Sequence, residues 1–203
     1  MPNIADQLRD FAGAKNPRFV SGPAVIPLRH LLLPGANGTQ IQWLATQTKG
    51  ASEVLIDFYR TVNGARLFAN QADEEECFFF LPIEDMEAEK KGLDPWIMPR
   101  TDEPDYEYGE ELSDDGRLDL FGPPPWWNSA LVFGGIGYAP ERYFLATEGP
   151  WRGNVFVYVH DGDYSVRTNL SFEAMLQEII TQPSKFMGWA VNYEIDRYES
   201  DAL

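Results

Sequence analysis

The sequence predicts an α+β fold, a single domain over residues 1–203 in which a mixed, mostly antiparallel sheet is flanked by helices. Three observations predict it. Apolar residues recur three and four apart at Val54, Leu55, Phe58, Tyr59 and Val62, the spacing that places side chains on one face of a helix. Short apolar runs bounded by charge, proline or glycine, such as Cys77 to Leu81 and Ser129 to Ile136, read as strands. Helices and strands are interspersed, with a run of strands late in the chain and no self-similarity of the kind that marks a solenoid.

The elements follow in order. Asn3 caps a short helix carrying Ile4, Leu8 and Phe11, stopped at Gly13. Phe19 to Pro34, rich in proline and β-branched residues, is extended, and Pro34-Gly35 and Asn37-Gly38 are turn signals. Thr39 caps a helix with Ile41, Trp43 and Leu44, broken at Lys49-Gly50. Ala51 to Phe68 organises the rest: Ser52 caps its helix, Asn63-Gly64 supplies residues that tolerate the left-handed close, and Ala65, Leu67 and Phe68 enter a strand. Asp73 to Glu76 is a solvated turn. Cys77 to Leu81 is a buried central strand ended by Pro82, and Ile83 to Lys91 a helix with carboxylates early and lysines late, as the helix dipole favours.

From Pro95 to Pro125 periodicity vanishes, and a loop this long in a compact domain is usually functional or mobile. Pro123-Pro124-Pro125 is locally extended and delivers Trp126-Trp127 onto the body. Ser129 to Ile136 is a strand whose Gly134 and Gly135, with Gly137 beyond, mark a bulge or close approach. Tyr143 to Ala146 and Val155 to Val159 form an antiparallel hairpin joined through Gly149-Pro150, His160 to Asp163 is a turn, and Tyr164 to Arg167 a further strand. Ser171 caps a last helix with the stripe Phe172, Met175, Leu176, Ile179 and Ile180. The tail from Pro183, with Phe186, Met187, Trp189, Val191 and Tyr193, packs back, and Glu199 to Leu203 is expected to be disordered.

The order of these segments resembles the SMI1/KNR4 (SUKH) superfamily. The resemblance rests on a helix followed by Val62-Asn63-Gly64 and Leu67-Phe68, a strand ending in Leu81-Pro82 and a short acidic helix. It continues in Arg142 to Ala146, the turn from Gly149 to Gly153, Val155 to Val159 and Leu170 to Leu176, and covers about residues 40–182. The first 40 residues, an acidic insertion from about 93 to 127 and the tail after 183 depart from the pattern. The resemblance implies a non-enzymatic binding module. Many bacterial members of the superfamily are immunity proteins that neutralise cognate toxins, often nucleases, and fungal relatives are regulatory hubs.

Composition narrows the function classes. The net charge is -16, and residues 70 to 120 hold 18 acidic residues against Lys90, Lys91, Arg100 and Arg117, a balance of -14 that leaves -2 for the rest. This regional field repels phosphate backbones and anionic membranes and favours a basic protein partner; the resemblance implies that this partner is a toxin domain. The start MPNIADQLRDF shows no cationic segment followed by an apolar run, no stretch of about 18 apolar residues occurs, and Cys77 is the single cysteine. The chain therefore reads as cytoplasmic, contacting neither nucleic acid nor membrane.

Catalytic residue types are scarce. Cys77 with His30 or His160 is a conceivable nucleophile and base, outweighed by Cys77 opening an apolar strand as a small buried hydrophobe. No G-x-S-x-G, G-x-x-x-x-G-K-[ST] or H-E-x-x-H occurs, and Phe133 to Gly137 lacks the third spaced glycine of a dinucleotide site. Asp114-Asp115-Gly116 fails as an EF-hand because Gly122 stands where a bidentate glutamate is needed. The reading is of no catalytic residue, no metal and no cofactor. The partner-binding residues are those where carboxylates and large aromatics interleave: Asp102, Glu103, Asp105, Tyr106, Glu107, Tyr108, Glu110, Glu111, Asp114, Asp115, Trp126 and Trp127. The alternatives are a regulatory or scaffolding protein with endogenous partners, an enzyme using the carboxylates with a divalent metal, carboxylates that are simply solvated, as charge runs usually are, and, for Trp126-Trp127, two indoles that simply seal the core.

Overall fold

The structure, a computed structural model, describes residues 3–73, 75–97, 108–112, 118–122, 124–137, 139–159, 166–187 and 197–201. It is an α+β single-domain fold. The first half contains α1 (Ile4–Ala12), β1 (Lys15–Ser21), β2 (Ala24–Pro34), α2 (Gly38–Thr48), α3 (Glu53–Thr61), β3 (Val62–Asn70), β4 (Phe78–Phe80) and α4 (Met86–Ile97). The second half adds β5 (Gly109–Leu112), β6 (Leu118–Phe121), β7 (Leu131–Ile136), β8 (Arg142–Leu145), β9 (Asn154–Tyr158), β10 (Val166–Ser171), α5 (Phe172–Thr181) and β11 (Arg197–Asp201). Among the described residues the strands form one continuous order, β11-β1-β2-β3-β4-β7-β8-β9-β10-β6-β5. Every described pairing is antiparallel, so the mixed sheet expected from the sequence contains no parallel pair here.

Helix starts follow local chemistry. Asn3, Ser52 and Ser171 each accept a backbone N–H of the first turn, from Asp6, Leu55 and Ala174. Two boundaries differ from expectation. The cap of α2 is Asn37, which accepts from Thr39 and Gln40 while the Gln40 amide oxygen accepts the Asn37 N–H, a reciprocal arrangement that outcompetes a cap at Thr39. After α3 the chain does not close in a left-handed turn: Val62 is already extended, with φ -140° and ψ 109°, and begins β3. Asn63 instead accepts the Ile83 N–H at 3.0 Å and donates to Glu84 at 3.2 Å, tying the start of β3 to the 3-10 turn Ile83–Asp85 that precedes α4.

The core lies between the sheet and the helices α1, α3 and α5, which pack on one another. Phe58 of α3 and Phe172 of α5 meet Phe80 of β4 at ring separations of 4.8 and 6.1 Å, and Phe172 meets Phe133 of β7 edge-on at 5.2 Å. The buried Tyr59 hydroxyl donates to the Leu81 carbonyl at 2.9 Å. β4 alternates, with Phe78 and Phe80 buried and Phe79 half-buried, whereas β7 is buried throughout with α4 packed along it. Gly134 fits the expected close approach, because a side chain there would meet the Phe79 carbonyl oxygen at 2.4 Å.

Three further differences concern the regions read as irregular. The acidic helix runs to Ile97, through Pro95. The aperiodic stretch contains the hairpin β5–β6, joined to the sheet through β10. Arg197–Asp201, expected to be disordered from Glu199 onward, is the strand β11 on β1, where Arg18 pairs with Glu199 at 3.0 Å and Asp201 at 3.4 Å. The predicted turn over His160 to Asp163 and the tail residues Trp189, Val191 and Tyr193 lie outside the described residues.

Candidate functional site

Of the twelve residues selected from sequence, Asp102, Glu103, Asp105, Tyr106, Glu107, Asp114 and Asp115 lie outside the described residues. The other five divide into two groups. Tyr108, Glu110 and Glu111 belong to the outermost hairpin of the sheet, which exposes both glutamates and leaves Leu112 69% accessible. Trp126 and Trp127 turn inward and are only 5% and 1% accessible, a correction to their selection as projecting anchors. The reason is packing: Trp126 lies 4.8 Å from Phe156, Trp127 is edge-on to Phe144 at 5.1 Å, and the Trp127 N–H donates to Asp94 at 2.8 Å.

Part of the acidity is matched internally. Glu87, Glu89 and Asp94 pair with Lys91, Arg142 and Lys90. Glu110 is different, because its Oε1 accepts from two neutral donors, the Tyr108 hydroxyl and the Trp151 indole N–H, the latter at 3.1 Å. These orient the carboxylate without cancelling its charge. Burial first, and then the bond to Glu110, push the Tyr108 phenol well above its usual range. Among the described residues no cation meets Glu110 or Glu111.

Beside the hairpin, Tyr108, Glu110, Trp126, Glu148, Gly149 and Pro150 line a pocket of about 280 Å³. Glu148 accepts from Lys49, which holds its carboxyl below the usual carboxylate range. Gly149 is required at this turn: its φ is +75°, and a Cβ would stand 2.9 Å from Trp126 Cδ1.

A larger groove, about 720 Å³, opens on the face of the sheet opposite Phe78 and Phe80. Registered neighbours place Leu31, Arg66, Phe79, Gly135 and Arg142 in one row across five strands. Gly135 leaves room for the Arg142 guanidinium, which lies 5.3 Å from the Phe79 ring centre. Glu75, Asp85 and Glu89 form the acidic rim. Sequence reading missed this face. Its signal was the exposed pair Leu31 and Leu33, two apart on an extended run, with Phe79 between two buried phenylalanines.

The Cys77–His30 alternative does not gain a mechanism. Burial pushes the Cys77 thiol up to about 11 and so disfavours the thiolate. His30 is committed elsewhere, with Nδ1 accepting the Phe68 N–H at 3.2 Å and Nε2 therefore donating to the Tyr198 hydroxyl at 3.1 Å. His160 lies outside the described residues. Among the described residues no group of three or more His, Cys, Asp or Glu side chains is placed to hold a metal ion, and no helix is long and apolar enough to cross a membrane. Compared with known proteins, the chain matches no family model and no curated protein.

Proposed function

We propose that this chain is a non-enzymatic protein-binding module, an immunity protein of SMI1/KNR4 type that neutralises a cationic, nuclease-type toxin by covering its active site. The observation that carries the reading is the exposed edge strand β5, whose Glu110 and Glu111 meet no cation among the described residues and stand at the end of the strand order. They belong to the segment 70–120 that holds -14 of the net charge of -16. A nuclease must attract phosphates and therefore presents a positive surface, which an acidic edge engages by mimicking the charge of its substrate.

The test is genetic and then physical. The reading frame beside this one is expected to encode a secreted protein with a basic C-terminal domain. Co-expression restores growth to cells making that domain, and the purified complex forms more slowly as salt rises through the screening range. Absence of rescue overturns the toxin reading.

A further inference from the structure

We infer that the pocket beside β5 is a receptor for one protonated side chain, lysine or arginine, projecting from the basic partner. The inference rests on the binding reading above and names its point of contact. The pocket is lined by the aromatic and apolar residues Tyr108, Pro125, Trp126 and Pro150 together with the carboxylates Glu110 and Glu148. An aromatic wall with a carboxylate at its rim suits a cation on a methylene stem, since the stem packs on the rings while the charge meets the ring faces and the carboxylate. It suits an anion or a neutral polar group poorly.

The charge state agrees. Glu110 is held by the Tyr108 hydroxyl and the Trp151 N–H, two donors that add no positive charge. Glu148 is answered by Lys49, so among the described residues one carboxylate at this mouth has no counter-ion. A second observation is independent of charge. The Trp126 indole N–H is buried and has no hydrogen-bond partner among the described residues, at the ring edge over which Gly149 lies. An unmet buried donor beside the pocket is costly to the protein alone. Gly149 packs against this edge, and a Cβ there would close onto Trp126 Cδ1 at 2.9 Å.

The probes are n-butylammonium and ethylguanidinium chloride, titrated at constant ionic strength while the indole N–H resonances of Trp126 and Trp151 are followed by NMR. Saturable shifts are expected with both cations, and none with sodium chloride or with neutral 1-butanol. E110Q, at an exposed strand position, keeps the fold by circular dichroism and weakens both probes about fivefold. K49Q uncovers Glu148 and tightens them about threefold, an opposite effect that loss of structure does not produce. Equal, non-saturating shifts in the wild type and E110Q, or the same shifts with 1-butanol, overturn the pocket. Failure here is distinct from failure of the toxin reading. Capture of a basic domain unaffected by E110Q refutes the pocket alone, and saturable probe binding without growth rescue refutes the toxin reading alone.

Discussion

Trp127 donates its indole N–H to the Asp94 carboxylate at 2.8 Å, joining the turn before β7 to the last turn of α4 across 33 residues of sequence. Lys90, one helical turn before Asp94, pairs with the same carboxylate and stands 4.6 Å from the indole centre. The tryptophan thus fastens α4 to the aromatic core. W127A is expected to destabilise the fold by about 3–5 kcal/mol, the range for deleting a large buried aromatic, and W127F, which keeps most of the packing and loses the N–H, by about 1 kcal/mol. Urea unfolding midpoints read both. A W127A variant as stable as the wild type would return this residue to the surface.

The Asn63 side chain performs a second fastening. Its Oδ1 accepts the buried N–H of Ile83, and nothing on an alanine replaces that acceptor. N63A is therefore expected to cost about 2 kcal/mol, the penalty of leaving a buried donor unmet. Asn63→Asp keeps an acceptor for Ile83 but places a carboxylate beside Glu84, so its loss grows as pH rises through the carboxylate range. Denaturation midpoints of the two variants at pH 4 and pH 7 separate the effects.

How far the fold was legible follows from the reach of each signal. The caps at Asn3, Ser52 and Ser171 act on backbone groups three residues away, so the local sequence contains both partners. Asn63-Gly64 contains a turn signal too, but its use is decided by Ile83 and Glu84, twenty residues on. The strand β11 depends on Arg18 and β1, far away in the chain, and nothing in RYESD alone announces a strand. The inward turn of Trp126 and Trp127 was undecidable locally, because the rings that receive them, Phe144 and Phe156, come later and pack only once β8 and β9 pair. Charge, by contrast, is additive, and the acidity of the region around Glu110 and Glu111 was fully legible.

His30 gives the fold a defined acid response. Burial among Phe11, Phe68 and Tyr198 lowers its pKa from 6.5 to about 4, and Nδ1 must remain unprotonated to accept the Phe68 N–H. The unfolded chain takes up this proton as pH falls below 6.5, while the native chain holds it off until about 4. The contribution of neutral His30 is therefore complete above pH 6.5, declines as pH falls to about 4 and changes no further below. Between pH 7 and pH 4 the wild type is expected to lose on the order of 3 kcal/mol more than H30Q, whose amide keeps an acceptor and does not titrate. Parallel pH profiles of the two proteins would remove His30 as the source.

The hairpin carries the last prediction. Long-range attraction acts on encounter, so reversing a charge at the proposed docking edge changes the association rate more than the lifetime of the complex. E111K, on the exposed edge strand, is expected to slow association with a basic partner domain about tenfold at low salt, and the difference from wild type shrinks as ionic strength rises. D10K makes the same change of charge on α1, which packs against β2 near the opposite end of the strand order. If only net charge mattered, the two variants would slow binding equally. Stopped-flow rates at several salt concentrations decide it: a clear excess for E111K places the encounter at the hairpin, and equal rates assign it to the diffuse field of the whole molecule.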